Sequence, residues 1–268
     1  MQRVWPIFVV YGAAFVGIVA ASIVAALVVH DLYPDLSPQA VLQALPGLIA
    51  GGLASSSVLA LTAVVATRPL QPAALRLLPG RERGVDLIAM IVGTLALGQA
   101  LDSATMLAGL GQQGTMAIIR RALQGASGPD LFNAVMVIGL MAGAAEEIFF
   151  RGYMQTQLRA RWPAPLAVAV TSACFALLHL EWLHAVLAFI LGLYFGGLTE
   201  MTGSALPAVT CHIINNVLFT VLTALVGGVE AFQPNVVLLA VSAVVFVACL
   251  AWLRTSLAGP AAPPEAES

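Results

Sequence analysis

Long apolar stretches recur along the whole chain and constrain its fold more than any other feature. A membrane-spanning helix needs about 20 mostly apolar residues. Eight stretches approach that length, near 5–29, 41–66, 86–109, 131–150 (helical on to about 161), 164–180, 183–201, 206–226 and 235–253. Charged residues make up 9% of the 268 and the mean hydropathy is +0.96, far from the range of water-soluble domains. The expectation is an all-α, polytopic membrane protein of about eight transmembrane helices enclosing an intramembrane polar cavity. Residues 1–258 read as a single transmembrane helical domain, and 259–268 (GPAAPPEAES) as a disordered C-terminal tail.

All eleven basic residues are arginine, and their placement predicts the orientation. With the N-terminus inside, nine fall on inner segments (Arg3, Arg68, Arg76, Arg81, Arg83, Arg151, Arg159, Arg161, Arg254) and two, Arg120 and Arg121, on outer ones. That asymmetry puts both termini in the cytoplasm. The outer pair lies in Met116–Leu123, which reads as a short interfacial helix. A net charge of −2 with no basic run excludes nucleic acid as a partner and leaves the bilayer. Cys174, Cys211 and Cys249 stand singly in apolar segments and read as core residues.

Against this background Glu146-Glu147-Ile148-Phe149-Phe150-Arg151 stands out. A carboxylate in the bilayer core is costly unless it is paired or faces water, so two of them mark a functional site. On a helix Glu147 and Arg151 are i and i+4 with the acid N-terminal, the better order for an ion pair. Glu146 is rotated off that face. Glu147–Arg151 therefore reads as a scaffold pair that leaves Glu146 free for chemistry.

Two further polar groups complete the set. Phe175-Ala176-Leu177-Leu178-His179 closes the fifth span, and His212-Ile213-Ile214-Asn215-Asn216 lies inside the seventh, with His212 and Asn216 on one face. The fourth and fifth helices are joined by a tight turn at Arg161–Ala164. Equal counts back and forward from it bring Glu146 and His179 to one level, so the two can meet. The same count from the turn at Thr202–Ser204 leaves His212 roughly 10 Å too shallow. Elsewhere, His184 reads as an interfacial anchor, Asp102 and Gln99 as marks of the outer boundary, and Asp130 as an N-cap of the fourth helix.

EExxxR, FxxxH and HxxxN, in this order on successive membrane helices, resemble the CAAX protease and bacteriocin-processing (CPBP) family, which includes the type II CAAX prenyl endopeptidases. The resemblance covers about residues 130–226. It implies a glutamate-type intramembrane endopeptidase, with Glu146 and His179 activating water and His212 and Asn216 stabilising the oxyanion. It also implies that Glu147 and Arg151, together with Phe175, hold the site in shape. No cofactor is required on this reading. The alternative is a zinc ion held by Glu146, His179 and His212, a legitimate ligand set with one position left for water. The absence of HExxH and the presence of Asn216, a poor zinc ligand but a good donor, weigh against it.

The resemblance further implies a membrane-associated or lipidated peptide or protein as substrate. Arginine without lysine amid so much Ala, Gly and Val points to a GC-rich bacterial source and a bacterial inner membrane. A leader peptide, bacteriocin precursor or C-terminal anchor then replaces a prenylated tail as the expected substrate. Two other functions compete. One is a channel or transporter, which should carry inverted repeats that this sequence lacks. The other is a non-catalytic adaptor or immunity protein of the same fold.

Overall fold

The computed structural model describes residues 3–258, and among these every regular element is helical. The helices are α1 (Trp5–Leu32), α2 (Pro38–Gln43), α3 (Leu45–Ala66), α4 (Gly84–Leu107) and α5 (Gly114–Leu123). After them come α6 (Gly128–Arg159), α7 (Ala164–Leu177), α8 (Trp182–Thr202), α9 (Leu206–Leu225) and α10 (Phe232–Ser256). Seven of these are long and apolar enough to cross a membrane. The tail reading of 259–268 lies outside the described residues.

The fifth expected span departs from the expectation. α7 has 14 residues, about 21 Å of rise against roughly 30 Å of hydrocarbon. It stops at Leu177 because the chain turns sharply, with Leu180 in the left-handed region at φ 58°. Glu181 then caps α8, its carboxylate accepting from the backbone N–H of Leu183 (2.9 Å) and His184 (3.0 Å). Hydropathy carries no mark of this turn, since three of the four residues from Leu177 to Leu180 are leucine.

Two smaller expectations also shift. The fourth long helix starts at Gly128 with Ser127 before it, so Asp130 sits in the first turn, where the helix dipole favours it, and is not the N-cap. The outer helix is ten residues, Gly114–Leu123, and Arg120 at its end pairs with Asp102 of α4. Asp102 is thereby an ion-pair partner for α5.

The layering follows from which faces are covered. In α8, 44% of the most apolar window is buried, against 11% in α1 and α10, so α8 is central and those two are peripheral. α1 packs on α3 and α10 on α4, while α6 to α9 form the middle. Large apolar side chains such as Val16, Val24 and Leu27 on α1 and Val237, Val244 and Val247 on α10 are exposed. Such a surface suits lipid and not water.

α6 is the longest helix, 32 residues or about 48 Å. Its hydrogen bonding widens from i→i−4 to i→i−5 over Val135–Met141 and again over Ile148–Gln155. Such π-helical stretches crowd more residues into each turn and concentrate at functional sites. Between them lies an α-helical interval, Ala142–Glu147, which ends on the two glutamates. There α6 approaches α9 closely through Gly139 and Gly143. A Cβ on Gly139 would come within 2.8 Å of Val217 Cγ2, and one on Gly143 within 3.0 Å of the Ile213 backbone nitrogen. Small residues four apart let two membrane helices meet backbone to backbone.

Candidate active site

The stripe that α6 turns toward α8 recurs at i+4: Glu147, Arg151, Gln155, Arg159. Arg151 Nη1 donates to Glu147 Oε1 at 2.8 Å with both side chains fully buried, as the spacing predicts. Arg151 Nη2 donates to the Gly192 carbonyl (2.9 Å), Gln155 Nε2 to the Gly196 carbonyl (3.0 Å), and Arg159 Nε to Glu200 Oε2 (2.6 Å). Each of these partners lies 41 residues further along the chain, so α6 and α8 run parallel in fixed register. Glu200 also accepts from Arg76 (2.8 Å) and Gln155 (3.0 Å), closing the bundle at that end. Glycines 192 and 196 expose the carbonyls and keep side chains out of the way: a Cβ on Gly192 would lie 3.1 Å from Arg151 Nη2.

Glu147 also serves a second helix. His212 Nδ1 lies 2.8 Å from the same Glu147 Oε1 that Arg151 holds. A carboxylate accepts, so Nδ1 donates and Nε2 is turned the other way. It lies 3.7 Å from Glu146 Oε2. The ring is fixed on its faces too: Phe195 stacks on it (centroids 5.0 Å apart) and Phe175 meets it edge-on at 6.0 Å. Arg151 Cζ lies over both phenyl rings, at 4.9 and 5.6 Å.

Glu146 is different in kind from its neighbour. Its side chain is 22% exposed, whereas that of Glu147 is fully buried, and among the described residues it makes no hydrogen bond. It is the free acid that the one-residue offset from the Glu147–Arg151 face predicts.

His179 lies in the α7–α8 turn, where Nδ1 is 3.0 Å from the Phe175 carbonyl oxygen. A carbonyl only accepts, so this nitrogen carries the hydrogen and Nε2 of the neutral ring keeps its lone pair. Phe175 packs against the ring at 4.9 Å, and His184 at 4.2 Å. Asn216, one turn on from His212, donates from Nδ2 to the Ile138 carbonyl in the first π-helical stretch (3.3 Å).

The structure thus gathers Glu146, Glu147, Arg151, Phe175 and His212, with His179 and Asn216 at the edges, and it corrects the depth expected for His212. The imidazole in ion-pair reach of Glu146 is that of His212 and not that of His179. The count took every residue of the fourth helix at a full α-helical rise. Ile148–Gln155, which lies within the counted path, is π-helical and rises less per residue, which removes about 3 Å of the difference over its eight residues.

Sequence reasoning missed the contact of His184 with His179, whose rings lie 4.2 Å apart, and the burial of His184 Nδ1. It also missed Phe195 and the Gln155–Glu200 rungs. The i+4 continuation from Arg151 to Gln155 and Arg159 was the available signal for those rungs. Among the described residues no three His, Cys, Asp or Glu side chains are gathered to hold a metal ion.

A family model described as Rce1-like, type II CAAX prenyl endopeptidase, matches residues 128–218, from the start of α6 to two residues past Asn216. No curated protein and no solved structure matches the chain.

Proposed function

On the match of residues 128–218 to the Rce1-like type II CAAX prenyl endopeptidase model, we propose that this integral membrane protein is a glutamate-type intramembrane endopeptidase. The observation that carries the proposal is the contrast between adjacent acids. Glu147 is consumed by Arg151 and His212, while Glu146 is left partly open beside His212 Nε2.

Glu146 accepts a proton from a water molecule whose oxygen attacks the scissile carbonyl carbon. His179, with its Nε2 lone pair available, orients that water or relays the proton. The carbonyl oxygen becomes an oxyanion, which accepts hydrogen bonds from His212 Nε2–H and Asn216 Nδ2–H. Glu147 compensates the charge on His212 when that ring carries both hydrogens. A donor of this kind in a water-poor site is worth about 10²–10³ in kcat. The proton held by Glu146 then passes to the leaving nitrogen, the C–N bond breaks to give a carboxylic acid and an amine, and the acid's proton passes to the amine, leaving a carboxylate and an ammonium ion. No cofactor takes part. The substrate is a peptide bond in a membrane-associated or lipidated protein, and the site opens from a bilayer in which both termini face the cytoplasm of a bacterial cell.

The test is a comparison of membrane peptidomes from cells producing the wild-type chain and Glu146→Gln, His179→Ala or Asn216→Ala variants. One set of precursor fragments, present with the wild type and missing with all three variants, is the expected result. Fragment patterns unaffected by Glu146→Gln, in variants inserted at normal levels, would overturn the reading in favour of an adaptor.

A further inference from the structure

Asn216 has to present N–H to an oxyanion, yet its side chain is an amide whose two ends have nearly the same shape. Reversed by half a turn, it would offer oxygen and repel the charge it should stabilise. Something has to fix which end faces the site, and the HxxxN spacing does not say what.

The adjacent residue does. Asn215 Nδ2 donates to Asn216 Oδ1 at 3.3 Å, while Asn216 Nδ2 donates to the Ile138 carbonyl, also at 3.3 Å. Both bonds are at the long end of the usual range, but they agree in direction. Reversal of the Asn216 amide would set its NH2 against that of Asn215 and its oxygen against the Ile138 oxygen, losing both bonds and adding two like-dipole contacts. An amide nitrogen carries two hydrogens. With one given to Ile138, the second is free for substrate.

Asn215 packs closely on α4. Its Oδ1 lies over Gly98, where a Cβ would come within 2.8 Å of that oxygen, closer than Cβ contacts occur. Gly98 thus leaves room for one end of the amide while the other, the nitrogen, meets Asn216. We propose that Asn215, seated on Gly98, is a positioning residue that fixes the donor end of the Asn216 amide. This deepens the peptidase reading and rests on it. The plainer role for an asparagine here is an inter-helix polar contact that stabilises the bundle.

A double-mutant cycle separates the two. Asn215→Ala and Gly98→Ala should each lower kcat about tenfold with KM within about twofold, part of the effect of deleting a donor outright. Asn215→Asp, the same shape with acceptors only, should lower kcat further because it draws the Asn216 NH2 toward itself. In an Asn216→Ala background Asn215→Ala should cost nothing more. An equal loss in that background, or a folded Asn215→Ala enzyme with wild-type kcat, would overturn the proposal.

The side-chain 15N–1H signals of Asn216, assigned by their disappearance in Asn216→Asp, provide a readout independent of turnover. They should shift in Asn215→Ala and in Gly98→Ala, and unmoved signals would overturn the proposal. If Glu146→Gln keeps full activity, the peptidase reading fails, and these signals alone then decide the role of Asn215.

Discussion

His179 and His212 are the same side chain in two settings. His179 sits in a four-residue turn, its Nδ1–H given to the neutral Phe175 carbonyl. His212 sits in the second turn of a 20-residue helix, its Nδ1–H given to a carboxylate that a buried arginine already holds. Neither ring can choose its tautomer freely, and the partner decides what Nε2 is for. Beside a neutral carbonyl, Nε2 remains an acceptor suited to handling a water proton. Beside Glu147, the ring can carry both hydrogens with its charge compensated, and Nε2 becomes a donor. On the proposed mechanism, division of labour between chemically identical residues is thus set one bond away from the reacting atoms.

The contrast breaks hardest at Arg151. Arg151→Met leaves Glu147 buried with His212 as its one remaining partner and should cost about 3–5 kcal/mol, read as an early thermal melt in micelles. A melt like that of the wild type would mean that Glu147 needs no guanidinium, and the setting proposed for His212 would fall. Next, His179→Gln and His212→Gln should each lower kcat by about 10²–10⁴-fold. They should part company in stability, since His212→Gln disturbs a buried carboxylate and lowers the melting temperature while His179→Gln does not. Equal melts would erase the distinction.

Smaller effects sharpen it. Phe195→Leu strips the stack from His212 and His184→Leu strips the ring neighbour from His179; each removes an aromatic contact worth about 0.5–1.5 kcal/mol, a roughly two- to tenfold loss in kcat. Crossing each with the two histidine variants should show coupling to its own histidine alone. Last, a chelator should leave the rate of purified enzyme unchanged. Inhibition reversed by added zinc would mean that the two rings share a metal, and their separate settings would no longer explain the chemistry.

What could be read from the chain alone was whatever depends on local spacing. Apolar run length gave the helices, and i, i+4 arithmetic gave Glu147–Arg151 and the shared face of His212 and Asn216. What could not be read depends on backbone hydrogen bonds reaching one residue further, or on rotation of helices about each other. The π-helical Ile148–Gln155 has no sequence signature, yet it spoils the depth count for His212. His184, apparently a loop residue beside Glu181 and Trp182, joined the site because the turn at Leu180 folds it back on His179. The short α7 was hidden because leucines run straight through its end.

The three rungs from α6 to α8 bear on how a bulky chain could enter. Two rods bolted at successive levels, Arg151 to Gly192, Gln155 to Gly196 and Arg159 to Glu200, yield as one body and resist being pried apart. A bulky chain is then admitted more easily along another seam of the bundle than between these two helices.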